Sequence, residues 1–237
     1  MAKKAPLQFR CLDLVIALSV AVLITSNIAS SAKIIDLGFS VFGIHLAFDG
    51  GTLLFPLDYV IGDLLTEVYG FRIARRAIWI GFFTLAVSAL LFFIIGALPG
   101  EQTWEGYAGE EAYRAILGGM SSGGIIIASL SAYVIGNYSN SVIMSLMKVF
   151  MKGRILWMRT IGSSVVGELL DSLTFISIAS LAGVFPWSLF VNLVFTNYIL
   201  KLSIEIIVTP ISYLVIGTLK KMEGLDVYDH GVSYTPF

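Results

Sequence analysis

Long apolar runs separated by short polar stretches dominate the chain. Four of them, 12–35, 77–98, 121–149 and 188–219, exceed the roughly 20 residues that a membrane-crossing helix needs. A fifth, 160–184, qualifies in spite of Glu168 and Asp171 inside it. The sixth, 46–69, is interrupted by Gly50-Gly51 and by Pro56, so a helix there starts late. Pro56 to Tyr69 is 14 residues, about 21 Å of helix, against a hydrocarbon core of about 30 Å. The pattern predicts an all-α polytopic bundle of six transmembrane helices. It forms a single domain over 1–237, with a short N-terminal arm and a C-terminal tail, and no linker or internal repeat breaks it up.

Composition supports the bilayer as solvent. Of the 237 residues 57% are hydrophobic and 13% charged, where a soluble domain carries about 25% charged. A net charge of −1 gives no nucleic-acid footprint. Cys11 stands alone and reads as an inert thiol. No cleavable signal peptide is expected, because the first apolar run is too long. Twelve of the 15 basic residues fall on one side of the membrane. They are Lys3, Lys4 and Arg10; Arg72, Arg75 and Arg76; Lys148, Lys152, Arg154 and Arg159; and Lys220-Lys221. Lys33 and Arg114 fall on the other side, and Lys201 inside a segment. The positive-inside rule then puts both termini in the cytoplasm and the acidic loop at 101–114 outside.

Intramembrane carboxylates are the unusual feature, because each costs roughly 2.5–3.5 kcal/mol near the bilayer centre. In FPLDYVIGDLLTEVYG, Asp63 and Glu67 share a helical face and Asp58 lies about 180° around. With Pro56 at the first helical position, Asp58 reads as a first-turn anion favoured by the helix dipole. Glu67 fits either a substrate role or neutralisation by Arg72 or Arg75. Asp63 has no base nearby in sequence, which favours a ligand role. In RTIGSSVVGELLDSLTF, Ser164, Glu168, Asp171 and Phe175 fall on one face; in the last segment Asn197, Lys201 and Glu205 follow four-residue steps. Lys201 and Glu205 read as a local pair that holds helices together. Asn27 in the first segment and Tyr133, Asn137 and Asn140 in the fourth add amide and hydroxyl groups.

Carboxylates on three helices, amides on others and the rings of Phe55 and Tyr59 nearby suit a flat, donor-edged heterocycle or a small organic cation. There is no GxxxxGK[ST] loop for ATP and no HExxH; the two His are His45 and His230. No cofactor and no metal site is expected. An intramembrane aspartyl protease would need two Asp, which Asp63 and Asp171 formally supply, but YVIGDLL lacks a glycine two residues before Gly62-Asp63.

The stretches FPLDYVIGDLLTEVYGFRIARRAIW, RTIGSSVVGELLDSLTF and EGLDVYD together resemble the queuosine precursor transporter family, also called the vitamin uptake transporter family. The resemblance implies uptake of 7-cyano-7-deazaguanine and 7-aminomethyl-7-deazaguanine across the inner membrane, with queuine the cargo of some relatives. It implies a six-helix fold similar to the substrate-binding subunits of energy-coupling-factor importers, and service as such a subunit is the alternative to a stand-alone carrier. It carries over Asp63 and Glu67 from the first motif and Glu168 and Asp171 from the second as substrate residues.

Overall fold

The computed structural model describes residues 9–41 and 44–237. Lys3 and Lys4 of the basic arm, and the side chain of His45, lie outside what is described. The apolar runs wind into helices, since only a helix satisfies its own backbone groups without water. In chain order these are α1 (Leu12–Ala32), α2 (Phe55–Leu64), α3 (Phe71–Gly96), α4 (Gln102–Tyr107), α5 (Gly109–Ser121), α6 (Gly123–Phe150), α7 (Leu156–Leu181) and α8 (Phe190–Glu223). Their surface is apolar, and polar side chains share the interior with apolar clusters such as Leu23, Ile78, Leu85 and Met120. Phe83, Val87, Leu90 and Ile94 of α3 are exposed, while Ser26, Asn140, Ser141, Ser163 and Ser164 are buried. That inversion of a soluble core is what a lipid solvent selects.

Among the described residues, four helices are long and apolar enough to cross a membrane: α1, α3, α7 and α8 extended back to Trp187. Helices α5 and α6, a pair bent by 41°, bring the number of candidate spans to five when the pair is counted as one. The expected sixth run is not one helix. Its first residues belong to an antiparallel hairpin of β1 (Ile34–Val41) and β2 (Ile44–Asp49), the one departure from an all-helical chain among the described residues. Asp49 then caps a 3₁₀ turn, Gly50–Leu53, accepting from the Thr52 N–H (3.1 Å) and hydroxyl (2.9 Å). After it α2 begins, with Pro56 in its first turn, and it widens into a π turn, Leu65–Tyr69.

Gly70 ends that π turn with φ +85°, a left-handed conformation that favours glycine. A Cβ there would also lie 2.7 Å from Val227 of the tail. Helices α6 and α7 cross at Gly136 and Gly167, where a Cβ on Gly167 would come 2.8 Å from Asn140. Small residues at the crossing let the two backbones approach.

At the basic end the last residue of α8 and the tail after it act as a clasp. Glu223 accepts from the N–H groups of Arg10 (2.9 Å) and Cys11 (2.6 Å) at the start of α1, and from the Tyr69 hydroxyl (2.9 Å). Asp229 accepts from the Phe71 N–H (2.9 Å), capping α3, and from Ser145 (2.7 Å). Asp226 pairs with Lys148 (2.6 Å) and Lys220 (2.8 Å). Partial burial works to raise the Asp226 carboxyl, but these two ammonium groups outweigh it and hold it below the ordinary carboxylate value. At the opposite end Glu101 caps α4 through the N–H groups of Thr103 (2.8 Å) and Trp104 (2.9 Å), which lower its carboxyl.

Candidate functional site

A cavity of about 260 Å³ lies among α1, α2, α6, α7 and α8. Its lining comes from the last turns of α1 (Asn27, Ser30, Ser31), the first half of α6 (Ile125 to Asn137), the far end of α7 (Asp171, Phe175) and the start of α8 (Asn197, Lys201). All of these lie away from the basic end. Four-residue spacing places Ser129, Tyr133 and Asn137 on one face of α6, and all three reach the cavity.

Asp58 and Asp171 differ in their partners. Lys201 Nζ pairs with Asp171 (2.5 Å) and sits 4.9 Å from the centre of the Phe55 ring. Asp58 has no cation beside it among the described ion pairs. It accepts from the Ser19 hydroxyl (3.0 Å) and the Asn137 amide (3.2 Å). The Tyr59 hydroxyl, also at the cavity, is buried without a hydrogen-bond partner. Asn27 Oδ1 accepts from Ser129 (2.5 Å), and Phe175 meets Phe185 edge-on at 6.3 Å.

Below the cavity, towards the basic end, lies a second group. Asp63 takes the Asn140 amide (2.7 Å). Ser164 lies 3.3 Å from Asn140 Oδ1 and donates a short bond to Glu205. Glu168 is fully buried, and neither of its oxygens has a partner. Deeper still, Glu67 is fully buried and gathers Lys220 (2.6 Å), Arg159 (3.0 Å) and Lys148 (3.5 Å). Lys148 also donates to the Glu67 carbonyl (2.5 Å), so α2, α6, α7, α8 and, through Asp226, the tail are tied at one point.

Of the residues singled out in the sequence, the cavity thus brings together Asn27, Phe55, Asp58, Tyr59, Asp171, Asn197 and Lys201. Asp63, Glu67, Glu168 and Glu205 lie outside its lining. Two expected partnerships are corrected, and Asp58 stands in the expected first turn with other partners. Lys201 pairs with Asp171 across helices, not with Glu205 along its own, because the α7 face presents a carboxylate to it in a buried setting. Glu67 is neutralised by Lys220, Arg159 and Lys148, not by Arg72 or Arg75, since Arg75 turns to the Thr235 carbonyl (2.6 Å). Asp58 sits in the first turn of α2 but takes Ser19 and Asn137 side chains in place of backbone N–H groups. The two aspartates of the protease reading share no partner: Asp63 takes Asn140 and Asp171 takes Lys201. Ser19, Asp49 and Ser129 were not singled out. The four-residue step from Ser129 to Tyr133 is the signal that would have found one of them.

The Lys201–Asp171 pair has a direct test. Lys201→Met leaves a buried carboxylate unpaired, a loss of about 3–5 kcal/mol, and should sharply lower the folded protein in membranes. Adding Asp171→Leu should recover that level, measured by fluorescence-detected size exclusion, whereas adding Glu205→Leu should not. Recovery with Glu205→Leu alone would restore the intrahelical pairing.

A helical, multi-pass membrane protein whose inward polar side chains line a cavity of this size has the build of a transporter. A family model described as "Putative vitamin uptake transporter" matches residues 49–215, and the chain belongs to that family. It is 28% identical over 164 residues to a "Probable queuosine precursor transporter" of Bacillus subtilis, covering 69% of each chain. It is 26% identical over 179 residues to a protein of that name in Haemophilus influenzae, covering 74% of this chain and 72% of the relative. To the "Queuosine precursor transporter" of Escherichia coli it is 26% identical over 153 residues, 64% of this chain and 63% of the relative. No solved structure matches it.

Proposed function

We propose that this protein imports queuosine precursors, 7-cyano-7-deazaguanine and 7-aminomethyl-7-deazaguanine, across the inner membrane. In this reading the whole chain is a single membrane domain whose basic end and both termini face the cytoplasm, and α2 with its π turn counts as a short sixth segment. The cavity then lies towards the outside, while Glu67 and its three cations close the cytoplasmic end. The observation that carries the reading is Asp58, a cavity carboxylate with no cation among the described ion pairs, beside the unpartnered Tyr59 hydroxyl. A carboxylate accepts the ring N–H and exocyclic NH₂ of a guanine-like edge. The amides of Asn27 or Asn197 serve the carbonyl, and the rings of Phe55 and Phe175 offer faces for stacking. At about 260 Å³ the space is just below the usual range of drug-sized ligand sites, roughly 300–1,000 Å³, which suits a two-ring base better than a lipid. The names of the relatives support the same cargo.

The test is queuosine in tRNA. A strain unable to synthesise or import the precursors is given this chain alone and fed each precursor in turn. Queuosine should return. Its absence, with the protein present in the membrane at normal level, would overturn stand-alone import; restoration only with an added ATPase module would favour the binding-subunit alternative.

A further inference from the structure

We propose that Glu168 and Glu205 form a proton-binding site, separate from the cargo cavity, through which transport is driven by protons. This rests on the import reading above and adds its driving ion.

The two carboxyl groups come from neighbouring helices, α7 and α8: Glu205 takes the Ser164 hydroxyl of α7, and Glu168 follows Ser164 by one turn on the same face. Glu168 is 0% exposed and Glu205 is 2%. Both Glu168 oxygens and Glu205 Oε2 lack any donor, while Glu205 Oε1 takes Ser164. Buried polar atoms without partners are rare, and a buried ionised carboxylate without a cation is strongly disfavoured.

Among the described residues, the cation that acts on Glu168, Lys201, is shared with Asp171. On α8, Lys201 is held by Asp171 at 2.5 Å; on α7, Arg159 is held by Glu67 at 3.0 Å. The other titratable groups that act on the pair are acidic or phenolic: Asp171 on α7, Tyr198 on α8, and Tyr59 and Asp63 on α2. From α6 the nearest contribution is the neutral Asn140, through Ser164. One proton placed between the carboxyls resolves the arrangement, because the O–H of one then donates to an oxygen of the other, as in other paired acids.

The position also explains how such a proton would act on cargo. Helix α7 carries Glu168 and, three residues on, the cavity residue Asp171. Helix α8 carries Glu205 and, four residues before it, Lys201, the partner of Asp171. Any shift of α7 against α8 therefore changes the proton pair and the cavity ion pair together. That is the two-state linkage coupled transport needs.

Two measurements on purified protein test this. The first is ligand-free: infrared difference spectra across a pH jump should show the C=O band of a buried protonated carboxyl, absent in Glu168→Gln and in Glu205→Gln. A wild-type spectrum without such a band, or one that survives both substitutions, overturns the site. The second uses proteoliposomes and labelled 7-cyano-7-deazaguanine. With the interior one pH unit more alkaline, wild type should concentrate the base roughly tenfold, the equivalent of that gradient at one proton per cargo. A protonophore should abolish the effect, and the ratio with and without the gradient should fall to about one in Glu168→Gln. Wild-type accumulation indifferent to the gradient, while exchange of internal for external base runs normally, overturns proton coupling. If wild type fails even in exchange, the cargo assignment is what falls, and the infrared band still decides the proton site.

Discussion

Asp58→Asn is expected to weaken uptake of 7-cyano-7-deazaguanine by roughly tenfold to a hundredfold, read as a rise in the uptake KM at matched membrane levels. The substitution keeps the shape of the side chain but turns an acceptor into a group that presents N–H₂ to the N–H edge of the base. Losing one charge-assisted hydrogen bond costs about 1.5–3 kcal/mol, which sets that range. The fold should tolerate the change, because Asn can still accept from Ser19, which now holds the carboxylate at 3.0 Å. Asp63→Asn should cost less than threefold, since Asp63 is spent on Asn140 away from the cavity. Equal or reversed effects would move the ligand contact from Asp58 to the acids below it.

Glu67→Leu should lower stability by about 3–5 kcal/mol, the usual result of removing one member of a buried ionic cluster. Three cations now converge on this carboxylate, and only Asp226, which is partly exposed, would remain to serve Lys148 and Lys220. Arg159 would be left almost fully buried with no counter-charge among its described ion pairs. The expected result is a large fall in the thermal unfolding midpoint in detergent, whereas Arg75→Ala should leave the midpoint near wild type. A normal midpoint for Glu67→Leu would mean that the cluster does not hold the basic end together.

Run length and polarity made the long helices legible, because the bilayer demands both. The short, late-starting α2 was legible as well, from Gly50-Gly51 and Pro56. The hairpin before it was not. Its Ile34–Val41 strand starts inside the 12–35 apolar run; Lys33 and Asp36 mark the end of that run but do not distinguish a strand from a loop. Among the site residues, the four-residue steps through Asn197, Lys201 and Glu205 put the right side chains on an inward face of α8. What spacing could not convey was which partner each would choose. A Lys four residues before a Glu suggests a pair along the helix, yet Asp171 on the facing helix takes Lys201. Arg72 and Arg75 lie near Glu67 in sequence, yet the residues that neutralise it are 81 to 153 positions away. Asp58 looked like a cap because local features, Pro56 and the first turn, were all that could be weighed. Its partners, Ser19 and Asn137, come from two other helices. The acids of EGLDVYD were read as a family mark only, and the structure gives each of them a partner at the basic end.

Asp58 has an electrical meaning as well. The cavity's other buried charges, Lys201 and Asp171, cancel, so an ionised Asp58 leaves this part of the carrier with one unbalanced negative charge. Moving one elementary charge through a 100 mV potential involves about 2.3 kcal/mol. A cargo bearing an aminomethyl group is a cation and would neutralise that charge on loading, whereas a nitrile-bearing cargo is neutral and would leave it standing. The two precursors, nearly identical in outline, would then be moved with different sensitivity to the membrane voltage.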